Sequence, residues 1–137
     1  MSFSLNERLE AGGIDFGLHG KCRVLLKNNS VFPWFILVPE VDDHIIELHQ
    51  LESDDYDSVM QTIREISKFV QSHFKPDKLN VAAIGNIVSQ LHIHVVAPPE
   101  KRAFRNDILQ QLRFLSSVMA GCAQERRFLH KPELSIT

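Results

Sequence analysis

The stretch Gln90-Leu91-His92-Ile93-His94-Val95-Val96 is the most informative part of this sequence. Its alternating polar and apolar residues, followed by two prolines, predict a buried strand. Side chains alternate along a strand, so Gln90, His92 and His94 should share one face and the apolar residues the other. Neighbours on that face are roughly 6.6 Å apart along the strand, which lets the row embrace one phosphate group or one metal ion.

The residues alone leave three interpretations of the His-x-His pair open. The simplest is two half-exposed strand histidines with no chemical role. A zinc site would combine the pair with a third ligand from His44, Glu47 or His49. A metal-free site would use one imidazole to attack phosphorus. That ring must be neutral, held in one tautomer by a backbone acceptor, and flanked by a donor to the phosphate.

Helical spacing of apolar residues predicts a long helix over Ser53–Phe74, for which Ser53-Asp54-Asp55 offers an N-cap and an acidic first turn. A shorter helix is predicted over Leu5–Leu9. A C-terminal helix is predicted from its apolar stripe between Phe104 and Met119.

Four apolar segments predict strands, with a turn over Lys27–Ser30 after the first. The strands are Cys22–Leu26, Trp34–Val38, Val81–Ile84 and Gln90–Ala97. The order is two strands, a helix, two strands and a helix. It predicts an α+β fold with an antiparallel sheet, a hairpin of the first two strands and segregated helices. We expect residues 1–137 to form a single domain.

Composition narrows the class of protein. The 137 residues are 44% hydrophobic and 23% charged, and the formal charge of −2 lacks the basic excess that long nucleic acids require. The absence of a run of about 18 apolar residues predicts no membrane span, and the polar start predicts no export. Cys22 and Cys122 match neither a zinc spacing nor a disulfide framework, so we expect reduced thiols in the cytoplasm.

The strand Gln90–Val96 resembles the signature of the histidine triad (HIT) family, His-φ-His-φ-His-φ-φ with φ apolar, except that Gln90 stands at the first histidine position. The resemblance covers residues 18–98 and implies a HIT-like fold with the long helix between the hairpin and the triad strand. The chain is most similar to the bacterial branch related to diadenosine tetraphosphate hydrolases. In that branch a Gln-x-His-x-His form and a Phe-Pro-Trp stretch, here Phe32-Pro33-Trp34, also occur.

The resemblance implies a catalytic role for each of the three positions. His92 would attack the α-phosphorus of a nucleotide and form a covalent nucleotidyl-histidine, which water then hydrolyses. His94 would bind phosphate oxygens or the leaving group. The backbone carbonyl of Gln90 would accept the proton of the other His92 ring nitrogen. The Gln90 side chain cannot shuttle a proton, because an amide does not titrate near neutral pH.

Four further residues stand at substrate-binding positions of the family, and at one of them Asn86 replaces the usual Gln, which has a longer side chain. Asn28 would contact the ribose, Asn86 and Ser89 would contact phosphate, and Asn80 would help to fix the loop. Asn28 and Asn86 are also ordinary turn residues, and strand alternation points Ser89 away from the histidines unless the strand begins later. We interpret Trp34 mainly as core, with base stacking as the alternative.

Together these features predict a nucleotide hydrolase or phosphoramidase acting at the α-phosphate of a nucleotide or dinucleoside polyphosphate. The resemblance implies a homodimer that needs no cofactor and no metal and whose partner is a small nucleotide. One alternative is a nucleotide-binding module that has lost turnover because Gln90 replaced a histidine. Another is a metal-dependent hydrolase that uses His92, His94 and His44 or His49.

Overall fold

The structure is a computed structural model that describes residues 3–28 and 32–98 of the chain. Within them lie two α-helices, one 3-10 helix and five strands. In chain order these are α1 (Glu7–Ala11), β1 (Gly13–His19), β2 (Cys22–Lys27), β3 (Trp34–Pro39), the 3-10 helix (Leu48–Gln50), α2 (Ser53–Phe74), β4 (Asn80–Ala82) and β5 (Ile93–Val96). The predicted helix from Phe104 to Met119 lies outside the described residues.

Helix α2 has the predicted bounds, because its apolar residues recur at the helical period. Val59, Ile66 and Val70 are all buried on the face that meets the sheet. The predicted cap is wrong by one residue, since Ser53 is already helical and Glu52 holds the N-cap position without a side-chain hydrogen bond.

The five strands form one antiparallel sheet in the order β1-β2-β3-β5-β4. Strands β2 and β3 pair from Cys22 opposite Pro39 to Leu26 opposite Phe35, which confirms the predicted antiparallel pairing. Strand β3 lies at the centre and is buried on both faces, which explains its continuous apolar run. The α+β fold with an antiparallel sheet and a long helix is therefore confirmed.

The two faces of the sheet bury different partners. One face carries Phe35, Leu37, Ile93 and Val95 and packs against α2. The opposite face, which we call the histidine face, carries His94, because His94 lies directly opposite Ile36 in the β3–β5 register and paired residues share a face. Apolar residues of this face and of residues 3–12, the N-terminal segment, form a second core cluster. Its members include Leu5, Leu9, Leu25, Trp34, Ile36, Val38 and Val96.

Strand β1 was not predicted, because its sequence carries turn chemistry. Gly17 has a φ of 89°, and its N–H donates to the Asp15 Oδ1 atom at 2.7 Å. The pairing with β2 shifts register between Asp15 and Leu18, which is the mark of a β-bulge. Glycine and aspartate are depleted in strands, so tertiary pairing with β2 overrides the local preference here.

Other predicted bounds also move. Helix α1 begins after Asn6, whose Oδ1 atom accepts from the Arg8 N–H at 2.8 Å, so the helix lies two residues beyond the predicted Leu5–Leu9. Strand β5 starts at Ile93 rather than Gln90. Lys27 ends β2 instead of opening a turn. No helix among the described residues has both the length and the apolar character needed to cross a bilayer.

Replacing Gly20 with alanine should destabilise the fold by a clash as well as by backbone strain. Gly20 turns between β1 and β2 with a φ of 64°, and a Cβ atom there would lie 2.7 Å from the Thr62 Oγ1 atom of α2. That hydroxyl donates to the His19 carbonyl.

Gly17→Ala is the control, because its φ is also positive but a Cβ atom meets nothing within 4 Å. We expect Gly20→Ala to cost about 1 kcal/mol more than Gly17→Ala in urea unfolding. Equal costs would contradict the clash.

Candidate active site

The His92 ring is held by the backbone of the same segment. Its Nδ1 atom lies 2.6 Å from the carbonyl oxygen of Gln90, and the side chain is almost fully buried. A carbonyl oxygen only accepts hydrogen bonds, so Nδ1 carries the proton and Nε2 of the neutral ring holds the free electron pair. Burial lowers the pKa of His92, which keeps the ring neutral at pH 7. The arrangement leaves Nε2 with the free electron pair that an imidazole nucleophile needs.

His94 takes the opposite tautomer. The indole Nε1–H of Trp34 donates to the His94 Nδ1 atom at 2.9 Å. Indole is only a donor, so Nδ1 accepts and Nε2 of the neutral ring carries the proton. Burial, and then the neighbouring His92, lower the pKa of His94 to about 3. His94 therefore stays neutral across the physiological range and presents an N–H donor.

The two rings meet edge to face with centroids 4.9 Å apart. Their Nε2 atoms are buried and have no hydrogen-bond partner among the described residues. The backbone of Ile84 lies near His94 and raises its pKa, an effect smaller than that of burial. It does not form a hydrogen bond with the His94 Nε2 atom. Buried polar atoms normally have partners, so a free electron pair beside a free N–H donor indicates a ligand site. The pair is complementary to a phosphoryl group, whose phosphorus accepts electrons and whose oxygens accept hydrogen bonds.

A buried cation completes the surroundings of the pair. Lys27 is 6% exposed, and its Nζ atom lies 5.4 Å from the centre of the Trp34 ring. Its positive charge lowers the pKa of both histidines. Lys27 was not among the predicted site residues, because the sequence predicts a turn that begins at this residue. The strand predicted over Cys22–Leu26 could continue by one residue. Lys27 would then share a face with Leu25, and this pattern indicates a place in the sheet.

Trp34 is confirmed as a core residue, and it also orients His94. It is fully buried and stacks on Phe32 with ring centroids 6.1 Å apart. The hydrogen bond to His94 was not predicted, because it joins residues 60 positions apart on neighbouring strands. Buried indole N–H groups usually have a partner, so the sequence implies that some acceptor lies near Trp34 without indicating which one.

A pocket of about 230 Å³ opens beside His92. It is lined by four of the predicted site residues, Asn86, Ser89, Gln90 and His92. Ser89 reaches it because the regular strand begins only at Ile93, so alternation does not turn its side chain away. Glu47, from the loop before α2, also lines the pocket, although the sequence suggests it only as a metal ligand. The Gln50 Oε1 atom fixes that loop by accepting from the backbone N–H groups of Ile46 and Glu47.

The other predicted residues lie elsewhere. Asn28 is buried at the end of β2, and its N–H donates to the Gly12 carbonyl at 3.1 Å. Asn80 begins β4 opposite Val96. Neither residue lines the pocket. Their predicted contacts with ribose and with the loop remain predictions.

The Gln90 side chain does not join the histidines in one row. Its Oε1 atom accepts from the Asn6 N–H and its Nε2 atom donates to the Ser4 carbonyl, each at 2.9 Å. The amide is therefore committed to the N-terminal segment, and the predicted row of three polar side chains reduces to His92 and His94. The backbone carbonyl of Gln90 does hold the position predicted for it.

The described residues do not form the alternative metal site. Among residues 3–28 and 32–98, no three His, Cys, Asp or Glu side chains come close enough to bind one ion. His44 and His49 thus do not complete a ligand set with the His-x-His pair in the described part of the chain.

Comparison with known proteins gives consistent results. The HIT domain matches residues 15–101. A histidine triad protein from Sinorhizobium meliloti 1021 is 30% identical with a TM-score of 0.71, covering 88% of this chain and 97% of that one. A histidine triad protein from Marinobacter aquaeolei VT8 is 30% identical with a TM-score of 0.70, covering 89% of this chain and 97% of that one. Another from Bradyrhizobium japonicum is 29% identical with a TM-score of 0.69, covering 89% of this chain and 99% of that one. No curated protein matches the sequence. The link to diadenosine tetraphosphate hydrolases stays a prediction.

Burial of a neutral His94 should make the protein less stable in acid. The unfolded chain protonates this ring near pH 6.5, whereas the folded state resists protonation down to about pH 3. Lowering the pH through this window therefore favours unfolding, with a slope approaching about 1.4 kcal/mol per pH unit from this ring.

The measurement is the free energy of unfolding in urea at several pH values between 6.5 and 4. We expect His94→Gln to show a shallower slope than the wild type. His44→Gln, which changes an exposed loop histidine, should keep the wild-type slope. Identical slopes for wild type and His94→Gln would contradict the buried neutral ring.

Proposed function

This chain belongs to the histidine triad (HIT) family, and we propose that it hydrolyses a nucleotide at the α-phosphorus through a covalent adduct on His92. The family consists generally of nucleotide-binding hydrolases and transferases. The observation that supports the reaction here is the 2.6 Å contact between His92 Nδ1 and the Gln90 carbonyl, because it leaves Nε2 as the nucleophilic atom.

In the first step, the Nε2 electron pair of His92 forms a bond to phosphorus while the bond from phosphorus to the leaving group breaks. The leaving group departs with the electron pair of the broken bond and takes a proton from water. His92 becomes a cationic imidazolium, and its Nδ1–H bond to the Gln90 carbonyl strengthens because the donor is now charged. In the second step, water attacks phosphorus and the bond from phosphorus to Nε2 breaks, so that its electron pair restores the neutral ring. The attacking water releases a proton to solvent, which replaces the proton taken by the leaving group.

His94 stabilises the charge that builds up on the phosphoryl oxygens. Its Nε2–H is buried, unpartnered among the described residues and adjacent to the nucleophile. A preorganised donor in a site that excludes water is worth far more than the same donor in water. Trp34 fixes this role, because its indole N–H excludes the tautomer that would turn an electron pair toward the phosphate.

Proton delivery to the leaving group does not come from the Gln90 side chain, which is bonded to Ser4 and Asn6. The pocket supplies the Ser89 hydroxyl and the Asn86 amide, which can donate hydrogen bonds to the leaving group but not a proton. We therefore expect the enzyme to favour substrates whose leaving group needs no strong general acid. A nucleotide-binding module without turnover is the alternative that the following experiment tests.

His92→Ala should abolish turnover while nucleotide binding is largely retained. Intact-protein mass spectrometry after acid quench should show a nucleotidyl mass gain on the wild type and none on His92→Ala. The substrates are adenosine phosphoramidate, a dinucleoside polyphosphate and adenylyl sulfate. Product formation should fall on the order of 1000-fold or more. His44→Ala should behave as wild type, because His44 is exposed on the loop before α2.

Two outcomes would contradict this mechanism. Nucleotide binding with neither adduct nor product in the wild type would favour the binding module. Product formation that survives in His92→Ala but is lost on prolonged dialysis against a chelator would favour a metal-dependent hydrolase.

Glu47 should influence which leaving groups are accepted. It is the one acidic or basic side chain, apart from neutral His92, among the described residues that line the pocket. Its carboxylate repels a polyphosphate leaving group more than an amine. We expect Glu47→Gln to raise kcat/KM for dinucleoside polyphosphates relative to phosphoramidates by about two- to fivefold, the range for an exposed charge. Glu52→Gln, at the start of α2, is the control, and a ratio unchanged in Glu47→Gln would contradict the role.

A further inference from the structure

The Gln90 side chain joins two parts of the sequence that lie 84 to 86 positions apart. One oxygen accepts from the Asn6 N–H, and the nitrogen of the same amide donates to the Ser4 carbonyl. Ser4 and Asn6 are two residues apart, so the amide pairs with the N-terminal segment much as a neighbouring strand would. Both bonds are 2.9 Å long, the usual length for an N–H···O bond.

The N-terminal segment crosses the histidine face from this anchor. Leu9 is 4% exposed and, together with Leu5, belongs to the cluster that contains Trp34 and Ile36. At the other end, the Gly12 carbonyl accepts from the Asn28 N–H. A Cβ atom on Gly12 would lie 2.9 Å from the Lys27 Nζ atom, so the chain runs close over the buried lysine. The segment is thus tied at both ends and covers the face that carries His94.

Gln90 also holds the nucleophile, since its backbone carbonyl accepts from His92 Nδ1. We propose that Gln90 is a positioning residue whose side chain clamps the N-terminal segment over the histidine face while its carbonyl orients His92. The Nε2 atom of His92 is buried, and because Gln90 holds this ring, we expect release of the clamp to expose the atom to water and reagents. Its relevance to turnover rests on the proposed function, but the clamp itself does not.

The chemistry of an amide fits this role better than that of the imidazole in the family signature. An amide places an acceptor and a donor on one carbon atom, so both reach the same backbone segment. The two nitrogens of an imidazole point to different sides of the ring. An amide also keeps both bonds at any physiological pH, whereas an imidazole that gains a proton loses its acceptor.

The first measurement is the rate at which diethyl pyrocarbonate acylates His92, followed by peptide mass spectrometry. Gln90→Met has nearly the same shape but forms neither side-chain hydrogen bond, so we expect acylation about tenfold faster than in the wild type. Gln71→Met is the control, because Gln71 also donates from its side chain to a backbone carbonyl, that of Pro76, but at the exposed end of α2. It should leave the rate unchanged.

A second variant loosens the segment without touching Gln90. Asn6→Ala removes the N-cap of α1, and we expect it too to accelerate acylation of His92. Combining it with Gln90→Met should add little, since both changes release the same segment. If Gln90→Met does not fold, the rate in Asn6→Ala decides the question.

A readout that general destabilisation does not move is the titration of His92 followed by NMR. Burial is the main cause of its lowered pKa, whereas the Gln90 carbonyl raises this pKa and Lys27 lowers it. Opening of the segment should therefore raise the pKa of His92 toward about 6.5 in Gln90→Met.

A folded Gln90→Met with wild-type acylation and titration would overturn the clamp, as would equal acceleration in Gln71→Met. The reagent needs no turnover, so a failed clamp and a failed nucleotide hydrolase are distinguished by this experiment and the adduct experiment.

Discussion

Two neutral imidazole rings lie buried side by side, and each needs a partner inside the protein for its Nδ1 atom. The Gln90 carbonyl supplies an acceptor for one ring and the Trp34 indole supplies a donor for the other. These partners assign opposite tautomers, so the two Nε2 atoms differ in chemistry although they lie in the same surroundings. These two hydrogen bonds therefore decide that Nε2 of His92 offers an electron pair while Nε2 of His94 offers an N–H donor.

The central strand links the core to the site. Strand β3 buries Phe35 and Leu37 against α2 and turns Trp34 and Ile36 to the histidine face. Trp34 therefore contributes both to packing and to the orientation of His94, and the packing restricts its rotation. Burial in this core removes both histidines from water, and this loss of solvation is the main reason why both pKa values are lowered.

Much of the fold follows from local periodicity. Helix α2 was predicted with its exact bounds because its apolar residues repeat at the helical period over 22 residues. Strands β2 and β3 were predicted from short apolar runs. Strand β1 was not, because its glycines and Asp15 favour a turn and only pairing with β2 makes it extended. Its bulge is a tertiary feature that no local pattern signals.

The sequence by itself determined the His-x-His spacing, the departure at Gln90 and the availability of its carbonyl to His92, because these depend on residues within four positions of one another. Only the tertiary structure decided which tautomer His94 adopts, that Lys27 is buried beside Trp34, and that the Gln90 amide bonds to Ser4 and Asn6. Hydrogen-bond partners 60 to 86 positions apart are chosen by strand order and chain path, whereas sequence patterns specify only neighbours along the chain.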